Sequence, residues 1–202
     1  MELTAWLSLA TICILGAMTP GPSLAMVLKH TVSGGRINGL ITSITHGLGV
    51  SLYAVLTVLG MALMIKETPW LFNLIKYAGA IFLLWLAFKA FTAKSSLAKM
   101  KQTTATVSLK QSAYEGFLIA FLNPKLAIFF LALFSQFIDL NATWQQKSLM
   151  VITAGSIDTL WYCCIAAILS HSLFLDKLRN NIHWVEKATG VALLGITARV
   201  LL

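Results

Sequence analysis

The chain has 202 residues, of which 58% are apolar and 11% charged, and its mean hydropathy is +0.82. A water-soluble domain is roughly half apolar and a quarter charged, so this chain has too few charges to cover a water-facing surface, and that class is excluded. The net charge of +8 lies in the connections between apolar runs, where it reads as a topology signal and calls for no nucleic acid.

The first predicted span, Leu3 to Val27, holds no charged residue. It lacks the basic flank and small-residue cleavage pattern of a signal peptide, so it is expected to be retained. Its interior carries "MTPGPSLAMVL", with Pro20, Gly21 and Pro22 in succession. The second span, Ile37 to Ile65, is uncharged apart from His46. The third, Pro69 to Phe88, contains Lys76. A linker rich in Ser, Thr, Lys and Gln follows. The fourth span, Ser112 to Phe137, holds Glu115 and Lys125 and is interrupted at Asn123-Pro124. The fifth, Ser148 to Leu175, holds only Asp158. The sixth, Trp184 to Leu202, is the shortest and most charged. About 20 residues suffice for one helical crossing. Runs that are apolar all round read as helices rather than as alternating barrel strands.

Ten basic residues lie in alternate connections: Lys29 and Arg36, then Lys89, Lys94, Lys99, Lys101 and Lys110, then Lys177, Arg179 and Lys187. The positive-inside rule assigns these to the cytoplasm, which puts both chain ends outside. The fold class is therefore an all-α integral membrane protein with six transmembrane helices. The chain reads as one transmembrane domain, 1–202, with a repeat over 1–90, a cytoplasmic linker over 91–111 and a second repeat over 112–202. Halves of three spans each sit inverted in the membrane if they share descent. "GPSLAMVL" from Gly21 and "NPKLAIFF" from Asn123 align on Pro22 with Pro124, Leu24 with Leu126 and Ala25 with Ala127. In each half the proline interrupts the first span.

A proline inside a helix removes a donor and crowds the carbonyl four residues back, at about 3 kcal/mol. In lipid the freed carbonyl adds to that. Paired interruptions at matching places point to a transport site. Pro22 and Pro124 each suit the first position of a new half-helix, with Asn123 as the second one's cap. Two helix starts converging at one depth offer amide donors and partial positive charge to an anion such as an α-carboxylate. The candidate substrate-binding residues are Pro20, Gly21, Pro22, Ser23, Asn123, Pro124 and Lys125. Lys125 lies about a dozen residues into its span, too deep to snorkel. Asp158 carries a coupling proton in one reading and pairs permanently with Lys125 in the other. His46 is the second candidate for proton coupling, against the plainer reading of a packed polar residue. Gly47, Gly49 and Gly155 are expected where helices approach closely.

Cys13, Cys163 and Cys164 show neither a C-x-x-C nor a zinc spacing and read as apolar filler. No metal site, cofactor or enzymatic motif is expected. A divalent-metal or other ion exporter would need several carboxylates, histidines or thiols in its spans, and a membrane thiol relay would need one cysteine at matched positions of each half. The chain supplies neither set.

The residues also resemble those of the LysE/RhtB family of bacterial amino-acid exporters. "TPGPSLAMVL" is similar to that family's first span and "GGRINGLITSITHGLGVSLYAVLTVLG" to its second. "IKYAGAIFLLWLAFKAF", "GFLIAFLNPKLAIFFLALFSQFI" and "GVALLGITARVLL" resemble the third, fourth and last. The resemblance implies a multi-pass protein of the bacterial inner membrane that exports amino acids on the proton-motive force. Pro20, Gly21, Pro22, Asn123, Pro124 and Lys125 carry the matching motifs. Its implied partners are a small amino acid, protons and the bilayer, and a homo-oligomer is compatible with it. Some members have an acidic residue after the second-span glycine, whereas Gly49 is followed here by Val50. That departure favours a neutral amino acid over a cationic one.

Overall fold

A computed structural model describes residues 1–92, 107–138 and 141–168, with positions 187 and 191. Most of the linker and the sixth expected span lie outside the described residues. Six helices follow in order: α1 Leu3–Met18, α2 Pro22–Glu67, α3 Pro69–Thr92, α4 Leu109–Phe121, α5 Pro124–Phe134 and α6 Trp144–Ile168. No strand occurs among the described residues.

α2 covers 46 residues; straight, that would run about 69 Å, more than twice the bilayer's apolar thickness. It is not straight. Gly35 has φ 81° and ψ −180°, outside helical space. It is the only positive φ among the described residues, and glycine takes such a φ without a Cβ penalty. His30 Nδ1 lies 2.7 Å from Thr42 Oγ1, twelve residues on, where an unbroken helix would hold them about 18 Å apart. α2 is therefore a hairpin of two helical limbs, 22–34 and 36–67. The first limb continues the first expected span beyond its break, and the second limb is the second expected span.

α4 and α5 meet at 51° and are long and apolar enough to cross a membrane as one bent pair. α2 and α6 are each so alone, while α1 and the stretch Pro69–Trp85 are shorter apolar helices. The packing is that of a chain solvated by lipid. Leu48, Leu52, Leu56, Leu59 and Leu63 form an outward apolar stripe on α2, and Trp70, Leu74, Tyr77, Ile81, Trp85 and Phe88 form another on α3. The inner side of α2 buries His30, Asn38, Thr42, Ser43, His46 and Thr57. The main core joins Leu9 and Ile12 of α1, Met61 of α2, Leu83 of α3 and Phe130, Leu133 and Phe134 of α5.

Helix contacts run through small residues, which let backbones approach where hydrophobic exclusion supplies no force. Gly47 lies against Thr159 and Gly155 against Ser51, joining α2 to α6. A Cβ at Gly49 would stand 2.9 Å from the Phe117 carbonyl oxygen on α4, and one at Gly79 would stand 2.6 Å from the Ala132 Cα on α5. Backbone cannot yield as a flexible side chain does. Gly79→Ala is expected to destabilise the protein by about 1–3 kcal/mol, as overpacking generally does, seen as a lower thermal midpoint in detergent.

Candidate functional site: two helix breaks and a buried His–Asp pair

α1 ends at Met18 because Pro20 and Pro22 have no N–H to donate. The Thr19 N–H closes on Leu15 O at 3.0 Å and on Gly16 O at 3.3 Å, and the Thr19 hydroxyl donates to Leu15 O at 2.7 Å. The next carbonyl, Ala17 O, accepts from the Tyr162 hydroxyl at 3.4 Å. Gly21 is fully extended, and α2 restarts with Pro22 in its first turn. The first backbone donor of the new helix is Ala25, bonded to Gly21 O at 3.1 Å. The N–H groups of Ser23 and Leu24 precede it, in the place where a helix start offers donors along its axis.

The second break follows the same plan with a different cap. The Leu122 N–H closes α4 on Leu118 O at 2.9 Å, and Asn123 N–H reaches Ala120 O at 3.3 Å. Pro124 opens α5, and the Asn123 carboxamide oxygen accepts from the Lys125 N–H at 3.0 Å. Asn123 is buried and uses its side chain as an N-cap. One of the amides expected to face an anion is thereby already taken.

The two breaks are neighbours. A Cβ built on Gly21 would stand 3.5 Å from the Lys125 ammonium, so the side chain of the second break reaches the backbone of the first. Gly16, in the last turn of α1, lies against the ring of Phe129 on α5, where a Cβ would come within 2.5 Å. A Cβ at Gly16 would force the Phe129 ring to shift, whereas one at Gly21 would make only ordinary van der Waals contact with the lysine.

Asp158 and His46, expected separately, form one unit. His46 Nδ1 is 2.6 Å from Asp158 Oδ2, and a carboxylate oxygen at that distance makes Nδ1 the donor. His46 is fully buried, and its Nε2 has no hydrogen-bond partner among the described residues. His46 is a hydrogen-bond partner of Asp158 that neither reading of that carboxylate had included. The His46 ring meets Tyr162 edge-on at 4.9 Å. Tyr162 also reaches the Ser23 hydroxyl. A chain of contacts thus runs from His46–Asp158 through Tyr162 to the carbonyl and first turn at the first break. Tyr162 was missed as a site residue. Its signal was its place four residues after Asp158, on the same helix face.

Among the described residues no group of three His, Cys, Asp or Glu is arranged to hold a metal ion. The three cysteines are unbridged, with Cys13 buried and Cys164 exposed.

No solved structure matches the chain. Among characterised and uncharacterised sequences it is 28% identical over 203 residues to the uncharacterized membrane protein YrhP of Bacillus subtilis (strain 168), covering 96% of this chain and 95% of that one. It is 28% identical over 191 residues to a protein named leucine efflux protein of Klebsiella pneumoniae, covering 91% and 88%. A leucine efflux protein of Salmonella choleraesuis is 28% identical over 187 residues, again covering 91% and 88%. The family profile described as LysE type translocator matches residues 14–202, and with paired helix breaks set in a lipid-facing helical body, the chain belongs to that family.

Proposed function

We propose that this protein exports a small neutral amino acid across the bacterial inner membrane, by alternating access about the two helix breaks and in exchange for protons. Its partners are then the amino acid, protons and the bilayer, and it needs no cofactor. The observation that carries the reading is the Lys125 ammonium beside Gly21. It gives a carboxylate a full positive charge between two helix starts, each with partial positive charge of its own. Pro20, Gly21, Pro22 and Ser23 shape the first start, and Asn123 and Pro124 hold the second. The substrate's ammonium finds acceptors among the carbonyls at the end of α1, where Tyr162 already marks Ala17.

The preference for a neutral side chain rests on charge. Asp158, connected to the first break through Tyr162, is engaged by His46 and so is not offered to a cationic cargo. The leucine efflux proteins among the relatives favour the same class. Proton coupling falls to His46 and Asp158, the buried titratable pair connected to the first break. The halves 1–90 and 112–202, joined by the cytoplasmic linker 91–111, rock as inverted repeats, with both termini outside.

The deciding experiment is growth of an overexpressing strain on a panel of toxic amino-acid analogues. Protection against neutral aliphatic analogues is expected. Protection confined to cationic analogues would overturn the cargo assignment, and protection against none would overturn amino-acid export.

A further inference from the structure

A second polar cluster lies away from the breaks, where the tip of the α2 hairpin meets the start of α4. Glu115 is its hub. Its Oε2 stands 3.2 Å from Lys29 Nζ and 2.9 Å from His30 Nε2. Its Oε1 accepts from the Gln111 side chain at 2.6 Å. His30 is fully buried, and its other ring nitrogen faces Thr42 across the hairpin at 2.7 Å. Beside the hub, the Asn38 side-chain amide donates to Val107 O at 2.6 Å and to the Ser112 hydroxyl at 3.0 Å. Glu115 thus ties the first limb of the hairpin to the helix that opens the other half, and Asn38 ties the second.

The cluster's depth is informative. His30 lies eight residues past Pro22 and Glu115 eight residues before Asn123, so each stands about 12 Å from its break along its helix. Both offsets lead to the same end of the molecule, the basic end that holds Lys29, Arg36 and Lys110. In the alternating-access cycle proposed above, opening the breaks toward that end separates the first limb of α2 from α4. That separation ruptures both the Lys29–Glu115 and His30–Glu115 contacts. Charge-assisted hydrogen bonds of this kind are the strong ones in proteins.

We propose that Lys29, His30 and Glu115 form the cytoplasmic gate of the transport path, closed in this structure and opened by release of Glu115. The assignment rests on the alternating-access reading above, and it adds residues which that reading does not use. These three act as positioning residues, since none touches the breaks.

The test is accessibility, which needs no cargo. Ser112 is fully buried beside the hub. In a chain whose Cys13, Cys163 and Cys164 are replaced, Ser112→Cys serves as the reporter for a membrane-impermeant maleimide applied to inside-out vesicles. Slow labelling is expected, rising about tenfold when Glu115→Gln removes the charge from the hub. His30→Gln is expected to raise it likewise, and Lys66→Gln, which disrupts an exposed ion pair with Glu67, to leave it unchanged. If Ser112→Cys fails to insert, Thr45→Cys, beside Gly116 on the same interface, replaces it. Labelling that Glu115→Gln and His30→Gln leave unchanged would overturn the gate without touching amino-acid export. Failure to find any exported amino acid would leave the labelling result standing.

Discussion

Lys125→Ala is expected to lower export about a hundredfold, with normal expression and insertion, measured as efflux of the preloaded substrate from cells matched for protein level. The magnitude corresponds to about 3 kcal/mol, the usual loss when one partner of a buried, hydrogen-bonded charge pair is truncated. The local geometry separates this effect from a folding defect. What holds the start of α5 is the backbone N–H of Lys125, capped by the Asn123 side chain at 3.0 Å, and alanine retains that N–H. What reaches across to Gly21 is the ammonium, which alanine removes with the rest of the side chain. The complementary variant, Asn123→Ala, removes the cap and keeps the charge; it is expected to reduce stability by about 1 kcal/mol. Lys125→Arg keeps a cation but replaces a compact ammonium with a longer planar fork, so partial export is expected. Export at the parental rate in Lys125→Ala would remove the carboxylate site from between the breaks.

The helix breaks were legible in the sequence because proline's defects are covalent and local. Pro20, Pro22 and Pro124 lack a donor wherever they sit, and Asn123 before Pro124 is a cap whatever surrounds it. The structure accordingly ends α1 at Met18, opens α2 at Pro22 and opens α5 at Pro124. Lipid-facing stripes were legible for a related reason: a run of about 20 apolar residues has one solvent that suits it. The pairings were not legible. Asp158 and His46 are 112 residues apart, and Glu115 and Lys29 are 86 apart. Nothing local to either partner encodes the other. Glu115 read as a charge near the start of its span, and its role as a hub depends on how the hairpin turns at Gly35. That turn was expected only as a connection between spans. Its placement inside a nearly continuous helix, by one glycine at positive φ, is what brings His30 onto Thr42 and presents the tip to α4.

The second large effect is expected at the buried pair. In inside-out vesicles with an imposed pH gradient, each pH unit across the membrane supplies about 1.4 kcal/mol per proton, enough for a tenfold substrate ratio at one proton exchanged. Asp158→Asn is expected to abolish that gradient-driven accumulation while leaving equilibration of the substrate down its own gradient. The substitution keeps the shape and an oxygen acceptor for His46 Nδ1, so the contact at 2.6 Å can persist, weakened, without its charge. What it removes is the anion that stabilises a proton on the ring. His46 Nε2 is the open end of the pair, buried and without a hydrogen-bond partner among the described residues. Under the proposed coupling, Nε2 is where a proton would arrive, since Nδ1 faces Asp158. A change of charge there would be felt at the edge of Tyr162, whose hydroxyl touches Ala17 O at the first break. Tyr162→Phe tests that last connection by removing the hydroxyl and keeping the ring. It is expected to preserve transport while weakening its dependence on the pH gradient. Undiminished pH-driven accumulation in Asp158→Asn would take the pair out of coupling and leave its buried, half-satisfied histidine as a matter of packing alone.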